Sequence, residues 1–249
     1  MKVSIVTVCY NSERTIEDTI KSVLIQSYKN IEYIIVDGNS KDKTMQIVKE
    51  YEKDFAGRMK WISEKDNGLY DAMNKGICMA TGDIIGIINS DDFYTNEFVI
   101  ENVVKKMVEE DADCLYSDLV FVSENNTNRV VRKWRAGTGS VLWGWNPPHP
   151  TTFIKKKIYD TYGLYKVNNQ ISSDYDLLYK IFKNREIRVA YLRETIVKMR
   201  MGGQSTRGIK STIQGNKEVY ATLRENGNKI PIITVILRLL RKINQKVST

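Results

Sequence analysis

The chain has 249 residues, 42% of them hydrophobic and 27% charged, ordinary proportions for a globular protein long enough to bury a sizeable core. This composition excludes a disordered chain, and no apolar run reaches the roughly 18 to 20 residues needed to span a bilayer. The formal charge is +8, but residues 206–249 hold nine Lys or Arg against two Glu, so +7 of it sits in a C-terminal tail.

Lys2 to Cys9 (KVSIVTVC) is a nearly continuous β-branched run, the pattern of a strand buried on both faces. Ser12 is placed to cap a helix carrying Ile16, Ile20, Val23 and Leu24. A second strand, Ile31 to Val36, ends at Asp37-Gly38-Asn39-Ser40, and Lys43 to Phe55 is a second helix. Met59 to Ser63, Leu69 to Ala80 and Asp83 to Ile88 follow as strand, helix and strand. The resulting β-α-β-α-β-α-β order predicts a Rossmann-like α/β fold, a mostly parallel central sheet flanked by helices. Ligands of such sheets bind beyond the carboxyl ends of the strands, where Tyr10-Asn11, Asp37, Asp66 and Asp91 stand. Further on, Glu97 to Glu109 and Asp174 to Phe182 are helical, and Asp113 to Val122, Val130 to Arg135 and Ile187 to Lys198 are strands. Gly137 to Pro150, rich in Gly, Trp and Pro, is expected to be a mobile loop. The three cysteines (Cys9, Cys78 and Cys114) are odd in number, far apart and set in apolar runs, so they are expected to be reduced core residues. The first strand starts at Lys2, which leaves no signal peptide ahead of it and points to a cytoplasmic protein.

Asn89-Ser90-Asp91-Asp92 carries the most chemistry. Adjacent carboxylates ending a buried strand need a compensating charge, and a hard divalent cation bound through oxygen provides one. The alternative is that Asp91 and Asp92 cap the next helix. In sequence, five segments resemble family 2 of the glycosyltransferases, which has the GT-A fold: VSIVTVCYNSERTIEDTIKSVLIQSY, IEYIIVDGNSKDKT, SEKDNGLYDAMNKGICMATGDIIGIINSDD, PPHPTTFIKKKIYDTYGLY and SSDYDLLYKI. The resemblance runs to about residue 205. It implies an inverting transfer of a sugar from a nucleotide diphosphate to a hydroxyl of a lipid-linked or oligosaccharide acceptor in bacterial surface polysaccharide synthesis. It also implies three regions. These are a nucleotide-sugar-binding lobe (1–92), a fused acceptor-binding and catalytic lobe (93–205), and a basic helical tail (206–249).

By that resemblance Thr7, Tyr10, Asn11 and Asp37 hold the nucleoside. Asp37, an acceptor only, suits the N3–H of uracil or thymine, so a UDP-sugar is the expected donor. Asp66 and Gly68 lie near the nucleotide, and Asp71 and Asn74 near the donor sugar or phosphates. The usual Asp-x-Asp is here Asn89-Ser90-Asp91, which leaves Asp91 as the ligand of Mn2+ or Mg2+ and Asn89 and Ser90 as donor contacts. The base that deprotonates the acceptor is Asp174, with Ser173 where the family often has Glu. His149, the only histidine, is a candidate for donor phosphate or acceptor. Trp143 and Trp145 either stack on acceptor sugars or anchor their loop. Met201-Gly202-Gly203-Gln204-Ser205 resembles a loop that closes over the donor.

In the tail, Ile232, Ile236, Leu239, Leu240 and Ile243 share one helical face, and Thr234, Arg238, Arg241 and Gln245 the other. A basic amphipathic helix of this kind suits an anionic membrane surface, here the cytoplasmic face of the inner membrane; it also suits packing on the body or on a second copy in a homodimer. Nucleic acid is not expected, because no aromatic residues interleave the basic ones. Tyr10-Asn11-Ser12-Glu13 is not the Gly-rich phosphate loop of a nucleotidyltransferase, and no Gly-x-Gly-x-x-Gly follows the first strand. A non-catalytic relative that scaffolds a membrane complex is the remaining alternative, kept open by Asn89 and Ser173.

Overall fold

The computed structural model describes residues 1–202 and 208–244, with the side chains of 208–209 and 242–244 left aside. Four parallel strands lie side by side: β1 (Val3–Cys9), β2 (Ile31–Asp37), β3 (Met59–Ser63) and β4 (Ile84–Ile87). Three helices connect them: α1 (Ile16–Leu24), α2 (Thr44–Glu52) and α3 (Leu69–Met79). The sheet continues through β5 (Phe93–Tyr94), β6 (Cys114–Ser123), β7 (Asn126–Trp134), β8 (Phe153–Lys155) and β9 (Val189–Arg200) in the order β3-β2-β1-β4-β8-β6-β9-β5, with β7 beside β6. The helices of this half are α4 (Val99–Glu109), α5 (Lys156–Tyr162) and α6 (Ser173–Lys183), followed by α7 (Gly208–Glu225) and α8 (Pro231–Asn244).

Burial explains the layering. Every residue of β1 and β2 is buried, because both faces are covered. Ile16, Ile20 and Val23 of α1, Val48 of α2, and Val99, Val103 and Met107 of α4 pack on one face. Met73 and Ile77 of α3, Ile158 of α5, and Leu177 and Ile181 of α6 pack on the other. A third cluster joins Val141 and Trp145 to Tyr175 and Tyr179 of α6 and to Val219 and Leu223 of α7.

The second half departs from the predicted strands. The three-residue β8 runs antiparallel to both β4 and β6 and splices them into one sheet. It is too short to show periodicity, and so is β5. Ser12 does not cap α1. Thr15 precedes that helix, and the Ser12 hydroxyl lies 2.8 Å from that of Ser90. Asp91 and Asp92 cap no helix, since β5 follows them and α4 begins only at Val99. Of the cysteines, Cys9 and Cys114 are buried but Cys78 is exposed on α3. The 137–150 segment is anchored rather than loose. Tyr116 donates to Gly137 O (2.9 Å), Val141 and Trp145 are buried, and Gly144 lies against the Thr234–Arg238 backbone of α8.

At the opposite end of the sheet Glu32 is buried among donors. Ser4 Oγ (2.6 Å), Lys2 Nζ (2.9 Å), Thr81 Oγ1 (2.8 Å) and the amides of Thr81 and Gly82 all reach its carboxylate. Burial alone would raise its pKa, but these hydrogen bonds outweigh it and hold the carboxyl at about 2, against 4.5 for the free group. A depressed folded-state pKa stabilises the protein above the unfolded value, and that contribution is lost as pH falls from 4.5 towards 2. The shift corresponds to about 3 kcal/mol. Glu32→Gln is therefore expected to lower the melting temperature at pH 7 and to flatten its fall between pH 5 and 3; a parallel fall in variant and wild type would contradict this.

Candidate active site

The turns after β1 and β2 are laced together. Asn11, at φ 49°, receives Lys41 N on its Oδ1 (2.9 Å) and donates its own amide to Ser40 Oγ (2.8 Å). Asp37 is fully buried beneath them and accepts from Ser40 N (3.0 Å), Ser40 Oγ, Ser63 Oγ (2.6 Å) and the Cys9 thiol (3.7 Å). Its oxygens are thus engaged in shaping the floor of the turn. Thr7 is also fully buried and receives the Tyr33 hydroxyl (3.0 Å), so it does not reach the cleft. Tyr10, by contrast, is 62% exposed and offers its ring to solvent.

Asp66 is half-buried in the turn that follows β3. Its Oδ1 receives Gly68 N (2.9 Å), and its Oδ2 comes so close to Gly38 that a Cβ there would lie 2.6 Å away, with the Tyr10 ring at 3.3 Å. Tyr10, Gly38 and Asp66 Oδ2 therefore form one corner. Gly68 holds φ +108° just before α3, a conformation that favours glycine. Asp71 accepts from Asn67 N (2.9 Å) and so pins this turn. Gly38→Ala is expected to weaken nucleotide binding about tenfold, equivalent to about 1.4 kcal/mol, while leaving the melting temperature nearly unchanged. Calorimetric titration with UDP checks this, and unchanged affinity would remove the corner from the site.

After β4, Ser90 is tied to Ser12, and Asn89 Nδ2 donates to Asp92 Oδ2 (3.1 Å). Asp92 is fully buried and also accepts Arg200 N (3.3 Å). Burial first, and then the Asp91 charge, push its carboxyl well above the usual range. Asp91 is half-buried, with its backbone oxygen accepting from Arg200 Nη1 (2.8 Å). Arg200 also bonds Asp18 and stacks 4.9 Å over Phe93, so this single β9 side chain braces the whole turn. Sequence reasoning passed over it, although it directly precedes the quoted Met201 loop. Of that loop Met201 donates to Val122 O (3.0 Å), while 203–205 lie outside the described residues. Among the described residues no three His, Cys, Asp or Glu side chains gather as a metal cage. Asn89 Oδ1, however, is buried with no hydrogen-bond partner. One carboxylate and an orphan amide oxygen fit a cation that arrives with a diphosphate and keeps most of its ligands as phosphate and water.

Asp174 is the second residue of α6 and is half-buried. The Tyr70 hydroxyl, reaching over from α3, lies 3.1 Å from Asp174 Oδ1 and 2.8 Å from Ile171 O. Burial, with the Asp174 charge added, pushes the Tyr70 phenol far up, which leaves it a donor. Tyr165 packs 5.6 Å from the Tyr70 ring and 5.7 Å from His149, whose Nε2 is 2.9 Å from the Tyr165 hydroxyl. Burial lowers the His149 pKa and favours the neutral ring. Asn74 spends its amide on the Tyr165 backbone, receiving Tyr165 N (2.9 Å) and donating to Tyr165 O (2.8 Å). It therefore fastens the Tyr165 segment to α3. Asp176 turns away to Lys166 (3.0 Å) and Lys180 (2.6 Å). Trp145 is buried with its Nε1 donated to Ala136 O (2.8 Å), so it anchors its loop and leaves no face for a sugar; Trp143 is 54% exposed.

The family model for glycosyl transferase family 2 matches residues 4–175. The PGL/p-HBAD biosynthesis glycosyltransferase of Mycobacterium bovis is 23% identical over 243 residues, which cover 96% of this chain and 91% of that protein. Among solved structures, Staphylococcus aureus TarS 1–349 in complex with UDP-GlcNAc superposes with TM-score 0.70 at 17% identity, over 99% of this chain and 74% of that one. The match to a longer TarS chain spans 39% of it. The mannosyltransferase PcManGT of Pyrobaculum calidifontis, in complex with GDP-Man and Mn2+, superposes with TM-score 0.67 at 14% identity, over 99% of this chain and 76% of that one. The fold is that of the GT-A glycosyltransferases.

Proposed function

The chain belongs to glycosyl transferase family 2, and from this we propose that it moves a sugar from a UDP-sugar onto a hydroxyl of a glycan or lipid-linked oligosaccharide, with inversion at the anomeric carbon. The observation that carries the reading is the link between Tyr70 and Asp174. A helix that starts at the Asp66–Gly68 turn sends its second side chain to a carboxylate on the facing helix α6, which ties the proposed donor corner to the proposed base.

In this reading Tyr10 stacks on the base, and Asp66 Oδ2 accepts its N3–H. That choice favours uracil or thymine over cytosine, whose N3 carries no proton. Asp91, with the Asn89 oxygen, would hold the Mn2+ or Mg2+ ion. When bound, the ion supplies positive charge against that developing on the departing nucleotide. Asp174 takes the proton of the acceptor hydroxyl as its oxygen attacks the anomeric carbon. Tyr70 donates to Asp174 and fixes its orientation. Residues 1–92 thus serve the donor and 93–205 the acceptor. The test is a thermal-shift panel of uridine, thymidine, guanosine and cytidine diphosphates, each with and without Mn2+ or Mg2+. A metal-dependent shift with the uridine nucleotide is expected; no shift with any of them would overturn the donor site.

The tail suits a lipid-linked acceptor in bacterial surface polysaccharide synthesis. Among the described residues no helix is long and apolar enough to cross a membrane. On α8 Thr234 and Arg238 of the polar side pack inward. Thr234 is fully buried and donates to Leu142 O (3.0 Å), and Arg238 lies over the Tyr175 ring (5.1 Å). Ile232, Ile233, Ile236 and Leu240 are left exposed. Ile243 and Gln245 lie outside the described side chains. An outward apolar face on a segment of charge +7 suits an anionic membrane at the cytoplasmic face better than a second copy of equal charge. The double variant Ile232→Asp, Ile236→Asp is expected to lose sedimentation with vesicles containing anionic phospholipid by more than tenfold while keeping nucleotide binding, each buried isoleucine being worth about 1.5–3 kcal/mol. Unchanged sedimentation, or a dimer that the variant dissolves, would contradict this.

A further inference from the structure

Glu218 sits on α7, beyond the segment that the family model matches, and is buried. Its carboxylate accepts three successive backbone N–H groups: Gln170 (3.0 Å), Ile171 (3.0 Å) and Ser172 (2.8 Å). These amides form the turn that enters α6, two residues before Asp174. A helix entrance leaves amides without intrahelical partners, and an anion there is favoured both by charge-assisted hydrogen bonds and by the helix dipole.

Glu218 is itself held, since Gln214 Nε2 donates to its Oε1 (3.0 Å). α7 grips the same turn once more and α6 itself once: Ser172 Oγ donates to Gly215 O (3.1 Å), and Thr222 Oγ1 to Asp176 Oδ1 (3.0 Å). From the other side the Tyr70 hydroxyl reaches both Ile171 O and Asp174 Oδ1. The peptide between Gln170 and Ser172 is therefore clamped, with its N–H groups on Glu218 and the Ile171 carbonyl on Tyr70, and Asp174 hangs from it.

We propose that Glu218 is a positioning residue for Asp174, fixing through the 170–172 amides where the base stands relative to the donor cleft. The proposal rests on the reading of Asp174 as the base. Loss of Glu218 would then act on the chemical step and leave donor affinity alone, because none of its contacts touches Tyr10, Asp66 or Asp91. A displacement of about 1 Å at a reacting group costs up to about 100-fold in rate.

The experiment uses the full chain and two variants, Glu218→Gln and Glu218→Asp, with Asp174→Asn in parallel. Glu218→Gln keeps the shape but aims an amide donor at amide donors, and Glu218→Asp keeps the charge one methylene short. Hydrogen–deuterium exchange of peptides covering 168–174 is measured together with kcat and KM for nucleotide release from UDP-glucose, UDP-galactose and UDP-N-acetylglucosamine with Mn2+. In Glu218→Gln the exchange at 170–172 is expected to speed up selectively and kcat to fall about 10- to 100-fold at unchanged donor KM; Glu218→Asp recovers part of both. Should Glu218→Gln not fold, Glu218→Asp is read in its place. Unchanged exchange, unchanged kcat, or equal loss in kcat and donor binding would overturn the proposal. A fall in kcat for Glu218→Gln alongside full activity in Asp174→Asn would overturn the base reading first, and the proposal with it. Loss of activity in Asp174→Asn with Glu218→Gln fully active would leave the base reading standing and remove only the positioning role.

Discussion

Asp174→Asn is expected to lower sugar transfer by about 100- to 10,000-fold, the range general-base catalysis contributes, while leaving nucleotide binding as in wild type. The amide has nearly the same shape as the carboxylate and keeps an oxygen for the Tyr70 hydroxyl, which has Ile171 O as a second acceptor. Folding therefore changes little, and the missing function is proton acceptance. The checks are kcat for transfer and the thermal shift with the donor nucleotide. Retained kcat would remove Asp174 from the mechanism, and a lost nucleotide shift would assign it to donor binding instead. Asp176, two residues on, is a control of a different kind. It is buried against Lys166, Lys180 and Thr222, so its replacement is expected to act on stability rather than on the chemical step.

Asp91→Ala is expected to abolish the metal-dependent part of nucleotide binding. A ligand at 100 times its Kd adds about 2.7 kcal/mol to the folded state, and in the variant that increment with Mn2+ should vanish. With Asn89 in place of a first carboxylate, no second acidic group at that position compensates the loss. The fold is expected to survive the change, because the bonds that Asp92 receives from Asn89 and Arg200 are untouched and the like charge beside Asp92 is removed. Thermal shift with UDP, with and without Mn2+, in wild type and variant checks both statements. An undiminished metal-dependent shift would place the ion elsewhere.

The motifs that hold these two residues were legible in the sequence: Asp91 stands in the turn after β4 and Asp174 at the start of α6. For other residues the turn was legible but the partners of the side chain were not. Asp37 follows its strand as expected, but burial gives its oxygens to Ser40, Ser63 and Cys9, while Asp66 brings a carboxylate oxygen to the corner beside Tyr10. Thr7 lies inside β1, where a strand buried on both faces gives it Tyr33 as a partner and no view of the cleft. Trp145 is drawn into the third cluster by Tyr116 and Phe182, which a Gly- and Trp-rich stretch of sequence does not reveal. Arg200, Tyr165 and Glu218 were missed because their partners are remote in the chain, and nothing local marks a side chain that braces a distant turn.

The parallel half of the sheet, the polar turns at the carboxyl ends of its strands and the charge of the tail were all determined by the sequence itself. Each is a local property: β-branched runs, helical spacing and a count of lysines and arginines are read within a window of ten to forty residues. Tertiary structure alone decided how β8 splices the second half onto the first, that α8 turns its apolar face outward, and what holds Asp174. Tyr70 and Asp174 are 104 positions apart, and Glu218 and Ser172 are 46 apart. Such contacts form because buried donors and acceptors must find partners, and which partners they find depends on how the layers pack rather than on the residues beside them in the chain.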